Sequence, residues 1–206
     1  MTTIAVLIMA SGFSRRMGCN KLLLDLGGRV VIEEIMDQAV RTGFAPVAVV
    51  SPYKEVLRLA GGRGLLGVDN PHAAAGKSAS IRLGIEALEA LANKQEEPPP
   101  EGILFMTGDQ ILLTDSLLAA IRETFCRDPS RIVFPSYDGN PGSPALFPRD
   151  IFPRLKRLEG EQGGRIAAEE QKHRICFVPA EPGWQGADFD TGREWEHVYA
   201  KRKYFD

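Results

Sequence analysis

Cysteine is scarce in this chain. Cys19, Cys126 and Cys176 are odd in number and far apart, and no CxxC pair occurs, which excludes a disulfide framework and a cysteine zinc site. That usage points to a reducing compartment, the cytoplasm. Charge of one sign is missing too. Against 25 Lys and Arg stand 27 Asp and Glu, a net charge of −2, so no nucleic acid is expected as a partner. Long hydrophobic runs are absent. The apolar stretch at residues 4–10 has no basic residue before it and ends at Ser11-Gly12. It is too short for a signal peptide or a membrane span, so no membrane partner is expected.

What is present is a chain of 206 residues, 44% hydrophobic, enough to bury one sizeable core, and one domain over residues 1–206 is the expectation. Apolar runs bounded by turn residues recur at 4–10, 46–51, 103–107, 132–135 and 174–178, the pattern of strands buried on both faces. Amphipathic stretches lie between them. Residues 31–41 place Ile32, Ile35, Met36, Ala39 and Val40 at helical spacing and stop at Gly43. Residues 78–92 repeat the pattern, and 115–125 follow Thr114 as a cap. Alternating strand and helix predict an α/β fold: a Rossmann-like, doubly wound, mostly parallel sheet with helices on both faces and ligands beyond the strand carboxyl ends. The polar, proline-rich segment 94–101 reads as an exposed connector.

Directly after the first run comes Ala10-Ser11-Gly12-Phe13-Ser14-Arg15-Arg16-Met17-Gly18-Cys19-Asn20-Lys21. Small residues let backbone N–H groups approach an anion, and Arg16 and Lys21 can neutralise a triphosphate. Loop chemistry alone leaves a solvated basic turn equally open. The dinucleotide fingerprint GxGxxG is absent here, and Gly76-Lys77-Ser78 fails as a Walker A loop because position 71 is Pro71. His72, His173 and His197 have no second ligand at metal spacing.

The loop resembles the AAGxSxRMGxxKLLL signature of the molybdenum cofactor nucleotidyltransferases, in the form typical of the cytidylyl branch. Ala10, Gly12, Ser14, Arg16, Met17, Gly18, Lys21, Leu22, Leu23 and Leu24 fit it. Asn70-Pro71 followed by residues 76–84 is similar to the branch's GxSxSIRxG segment, and Thr107-Gly108-Asp109-Gln110 to its TGDQP. Residues 139–147 resemble its GNPxxF region, residues 160–165 its GDxGAR, and Asp188-Phe189-Asp190-Thr191 its closing DIDT. The matches run in family order from residue 10 to residue 191. The chain departs at Ser11, where the branch has alanine, and at Ile111, where it has proline. It departs again at Glu161 and Gly164 in place of aspartate and alanine, and at the inserted Gly142-Ser143.

The resemblance implies a fold of the nucleotide-diphospho-sugar transferase type and transfer of CMP from CTP to the phosphate of molybdopterin. Such transfer needs cations, a metal and in-line placement more than covalent help. It assigns Arg16, Lys21 and Asp109 to catalysis, with Mg²⁺, or Mn²⁺ in its place, held by Asp109 and by Asp190, Asp188 being the reserve. The nucleotide would lie against Ala10, Ser11, Gly12, Phe13, Ser14 and Arg15, with Asn70, Gly76, Ser78 and Ser80 reading base or ribose. From the residues themselves, Asp109 can instead be a turn or N-cap aspartate, Asp190 a cap for a helix over 192–201, and Ser78 a cap for the helix over 78–92. Other readings are guanylyl transfer to the same acceptor, transfer to a sugar or polyol phosphate, and a non-catalytic cofactor carrier or maturation factor. The resemblance makes a molybdenum hydroxylase the client.

Overall fold

The computed structural model describes residues 2–202. Among them, strands β1 (Ile4–Met9), β2 (Val47–Ser51), β3 (Leu66–Asp69), β4 (Gly102–Thr107), β5 (Ile132–Tyr137), β6 (Asn140–Pro141), β7 (Ala145–Pro148) and β8 (Ile175–Pro179) form one eight-stranded sheet. Its order is β3-β2-β1-β4-β7-β5-β6, with β8 also pairing β5. Helices α1 (Val31–Arg41), α2 (Lys54–Gly62), α3 (Lys77–Lys94), α4 (Asp115–Arg127), α5 (Phe152–Leu155), α6 (Gly164–Glu169) and α7 (Gly192–Arg202) pack around it. The fold is the expected Rossmann-like α/β arrangement. The parallel run β3-β2-β1-β4 continues through an antiparallel β7 before β5 and β8, which are parallel to each other.

Side-chain alternation along β1 builds both layers. Ile4, Val6 and Ile8 face a core with Ile32, Ile35 and Met36 of α1 and Leu117, Leu118, Ile121 and Phe125 of α4. Ala5 and Leu7 face the opposite core, with Ile81, Ile85 and Leu88 of α3 and the apolar residues of α5 and α6. A strand coated on both sides must be apolar at every position, which is why it reads as an unbroken run.

Several boundaries differ from the sequence reading. The helix expected from residue 78 begins at Lys77, with Gly76 as its N-cap at φ +100°. Ser78 is therefore inside the first turn and does not cap it. The 94–101 connector is only partly exposed: Pro100 is buried, and Arg149 donates to the carbonyls of Pro99 and Pro100. No helix of the described residues is long and apolar enough to cross a membrane.

Candidate active site

Strand register lines up the elements that carry polar groups. Met9 pairs with Thr107 and with Val50, and Ser51 with Asp69. The chain thus leaves β1, β2, β3 and β4 side by side at their carboxyl ends, where a doubly wound sheet binds ligands. The Gly108 N–H donates to Met9 O and the Ser51 hydroxyl to Ala10 O, joining these exits.

The loop at residues 10–21 is shaped by its own side chains. Ser14 takes a left-handed φ of +49°. Its hydroxyl accepts from the Lys21 N–H at 3.2 Å, and its carbonyl accepts from the Met17 N–H. Asn20 accepts from the Leu22 N–H and starts the 3₁₀ turn Lys21–Leu23. Tyr53 donates its hydroxyl to Gly12 O, and the Arg15 guanidinium lies 5.6 Å from the exposed Phe13 ring. Below this loop, Asn70 is completely buried and its Nδ2 donates to the hydroxyls of Ser11 and Ser80. The Ser11 hydroxyl donates in turn to Val50 O at 3.2 Å. Its polar end is therefore turned into the protein fabric.

The charged centre joins three distant stretches of sequence. Lys21 Nζ is 2.5 Å from Asp109 Oδ2 and 2.8 Å from Asp190 Oδ1, and it donates to Phe189 O at 2.7 Å. The side chains of Lys21 and Asp109 are 10% and 13% exposed. Arg16, 69% exposed, bonds to the other oxygen of Asp190. Burial pulls the Lys21 pKa down, but the charge and hydrogen bond of Asp109, followed by those of Asp190, hold it above the ordinary lysine value. The Lys21 hydrogen bond, opposed by burial and helped by the charges of Lys21, Arg16 and Lys77, keeps Asp190 below the usual carboxylate value. For Asp188 the balance is reversed. More than a third of the residue is open to solvent, yet the packed walls near its carboxyl and the charge of Asp109 raise its pKa.

Neither aspartate is spent on capping. Thr114 caps α4, its hydroxyl accepting from the Leu117 N–H. At α7, Glu194 accepts from the N–H groups of Asp190 and Thr191 while the Thr191 hydroxyl accepts from the Glu194 N–H. This reciprocal box satisfies the helix start and leaves both Asp190 oxygens for Lys21 and Arg16.

A cleft of about 1110 Å³ opens over these groups. Ala10, Ser11, Gly12, Phe13, Arg15, Lys21, Gly76, Ser80, Asp109, Asp188 and Asp190 line it. Ser14, Arg16, Asn70 and Ser78 are not among its lining residues: Ser14 bonds to the Lys21 N–H, Asn70 to Ser11, and Arg16 to Asp190. The Ser78 N–H is engaged by Gly160 O at 3.1 Å, so it is not among the open donors at the start of α3. The cleft lining also includes residues the sequence reading did not single out as site residues: Lys77, Lys172 and Phe177. Phe177 is 52% exposed although it lies in a strand. In the sequence Phe177 is one residue of the apolar run at 174–178, and nothing local marks it as exposed; Lys77 was visible only as part of a failed Walker A match.

Among the described residues no group of three His, Cys, Asp or Glu side chains forms a ready-made metal cage. The donor set nevertheless suits Mg²⁺ or Mn²⁺ carried with a nucleotide, since Mg²⁺ takes one or two carboxylates and completes its shell with phosphate oxygens and water. Asp109 and Asp190 converge on one cation already, the Lys21 ammonium.

Comparison with known proteins agrees with this geometry. Residues 6–175 match the family described as MobA-like NTP transferase domain. A comparison with curated protein sequences found no match. The crystal structure of a homologue of Mycobacterium tuberculosis Rv0371c from Mycobacterium sp. strain JC1 is 26% identical, with 98% of each chain covered and a TM-score of 0.79. A nucleotidyl transferase from Methanothermobacter thermautotroptrophicus superposes over 100% of both chains at a TM-score of 0.83 and 20% identity. Rv0371C of M. tuberculosis H37Rv, solved in complex with manganese, is 23% identical over 97% of this chain and 99% of that one, with a TM-score of 0.73.

Proposed function

The chain belongs to the MobA-like NTP transferase domain family, and we propose that it is one such domain over residues 1–206, moving CMP from CTP onto the terminal phosphate of a molybdopterin-type acceptor. An acceptor phosphate oxygen attacks the α-phosphorus, the bond from that phosphorus to the α–β bridging oxygen breaks, and pyrophosphate leaves with the electron pair. The observation that carries the reading is the convergence of Lys21, Asp109 and Asp190 in a cleft that the loop after β1 also lines.

In this reading the N–H groups of residues 12–15 and the cations Arg16 and Lys21 hold the β- and γ-phosphates. Asp109 and Asp190 hold the metal, with Asp188 at its side. Ser11, Asn70 and Ser80 form a hydrogen-bonded floor under the base, and Gly76 and Ser78 fix the start of α3 beside it. Mg²⁺, or Mn²⁺ in its place, supplies charge neutralisation on the reacting phosphates. The manganese in the Rv0371C structure is in keeping with such a metal. The paired carboxylates Asp109 and Asp190 also favour an enzyme over a non-catalytic carrier, because a carrier needs only the loop. The product would pass in the cytoplasm to a molybdenum hydroxylase.

Pyrophosphate release with CTP, GTP, ATP and UTP in turn, each with molybdopterin and with a sugar phosphate, tests this. Release is expected with CTP and molybdopterin. Release with a sugar phosphate and none with molybdopterin would replace the acceptor, and GTP in place of CTP would replace the base.

A further inference from the structure

An ammonium has three N–H donors, and in this structure Lys21 donates to Phe189 O at 2.7 Å and Asp190 Oδ1 at 2.8 Å and is ion-paired with Asp109 Oδ2 at 2.5 Å. The Phe189 ring completes the socket, its centroid 5.4 Å from Nζ. A phosphate oxygen cannot be taken up by this side chain unless one of these contacts is released. The same geometry acts on the metal. A dication entering between Asp109 and Asp190 would meet an ammonium already there, and like charges at such distances in a partly buried site repel strongly.

We propose that Lys21 is a positioning residue that stands in for the divalent cation while the site is free of nucleotide. It draws Asp109, at the exit of β4, and Asp190, before α7, to the same point, and it weakens metal binding there in the absence of nucleotide, so that only metal at high concentration displaces the ammonium. When metal and triphosphate arrive together, the two carboxylates pass to the metal and the ammonium turns to the phosphates. Metal and nucleotide affinities are then coupled, each raising the other by the same factor. Arg15 and Lys77, both exposed on the cleft wall, offer the first contacts to the incoming anion. The inference rests on the metal-binding reading of Asp109 and Asp190 given above.

The test is Mn²⁺ binding measured by electron paramagnetic resonance without nucleotide, on the parent, Lys21→Met and Lys21→Gln, with folding checked by circular dichroism. Both variants remove the competing charge, and Lys21→Gln keeps donors for the carboxylates. They are expected to bind Mn²⁺ alone at least roughly tenfold more tightly than the parent, in the range of ordinary coupling energies, and adding Asp109→Asn should abolish the gain. In the parent, millimolar Mn²⁺ alone should speed acylation of Lys21 by an amine-directed reagent, read by mass spectrometry. This second readout does not depend on a variant folding. Folded variants that bind Mn²⁺ no more tightly, or a Lys21 acylation rate indifferent to Mn²⁺, overturn the proposal. If Mn²⁺ binding to the parent with CTP is untouched by Asp109→Asn, the metal reading itself falls, and the proposal with it.

Discussion

The carbonyl of Gly160 lies so close over Gly76 that a methyl group at Gly76 would stand 2.3 Å from its oxygen. The same carbonyl accepts from the Ser78 N–H. Gly76 also sits at φ +100°, a conformation side chains rarely adopt. The segment 160–165 is thereby seated on the first turn of α3, and it closes one side of the cleft.

Gly76→Ala combines a backbone clash with a strained φ, so it should cost about 2 kcal/mol or more of stability and displace the 160–165 segment. Thermal or urea unfolding checks this. A variant as stable as the parent would mean that the two segments are not in contact in solution.

Arg16→Ala leaves the core untouched and removes an exposed cation from the Asp190 side of the site. Turnover should fall on the order of 10²-fold with little change in unfolding midpoint. Asp109→Asn keeps the shape and removes a charge that Lys21 now faces, so both turnover and its dependence on added metal should be lost. A metal titration of pyrophosphate release compares all three proteins. A parental profile in either variant would remove that residue from the machinery.

Base choice turns on Ser11. Its hydroxyl is fixed between Val50 O and Asn70 Nδ2, so its Cβ has a set position beside the pocket. A purine should be crowded there, and CTP should exceed GTP by at least roughly tenfold in kcat/KM, a difference of about 1.4 kcal/mol. Ser11→Gly should narrow the gap by admitting GTP, while Ser11→Ala should keep it. Steady-state rates with both triphosphates on the three proteins give the answer, and an unchanged ratio in Ser11→Gly would mean the base lies elsewhere.

Arg174, just before β8, grips Asp150 with two hydrogen bonds of 2.6 and 2.8 Å. The Arg174 hydrogen bond is the main cause that holds the Asp150 carboxyl below its ordinary pKa. A depressed carboxylate stabilises the fold above its unfolded value, near about 3.9, and that contribution is lost as pH falls through the lower folded value. The Asp150 side chain is 60% exposed, so Asp150→Asn should cost at most about 1 kcal/mol at neutral pH. The difference from the parent should shrink below about pH 4 as the parent's own carboxyl protonates. Denaturant unfolding at pH 7 and pH 3 measures it; a difference that grows on acidification contradicts this reading.

The parallel half of the sheet was legible because burial on both faces forces unbroken apolar runs such as residues 4–9 and 103–107. The antiparallel part was hidden. β7 is the four residues Ala145–Pro148, preceded by Pro144 and too short for any periodicity to show. Its partner hairpin carries a local signal: Asp138-Gly139, with φ of +50° and +84°, is the turn chemistry of a two-residue hairpin joining Tyr137 to Asn140. α2 was masked by Gly61-Gly62 at its end, which reads as loop. Within the site, the sequence pointed to Arg16, Lys21, Asp109 and Asp190 separately, and only the fold shows that one ammonium joins both carboxylates. The three oxygens gathered on Lys21 and the inward turn of the Ser11 hydroxyl are tertiary facts with no local sequence signature.

The central claim is that the cleft beside Lys21 and Asp109 moves a nucleotidyl group. It is tested most directly by incubating the protein with molybdopterin and CTP carrying a labelled α-phosphorus, and in a parallel reaction a labelled γ-phosphorus, then separating the products. The account predicts that the α label appears in a cytidylated acceptor and the γ label in pyrophosphate, and that neither moves with Asp109→Asn. An α label that stays with free CTP or appears as CMP, with both ligands bound and metal present, would contradict it.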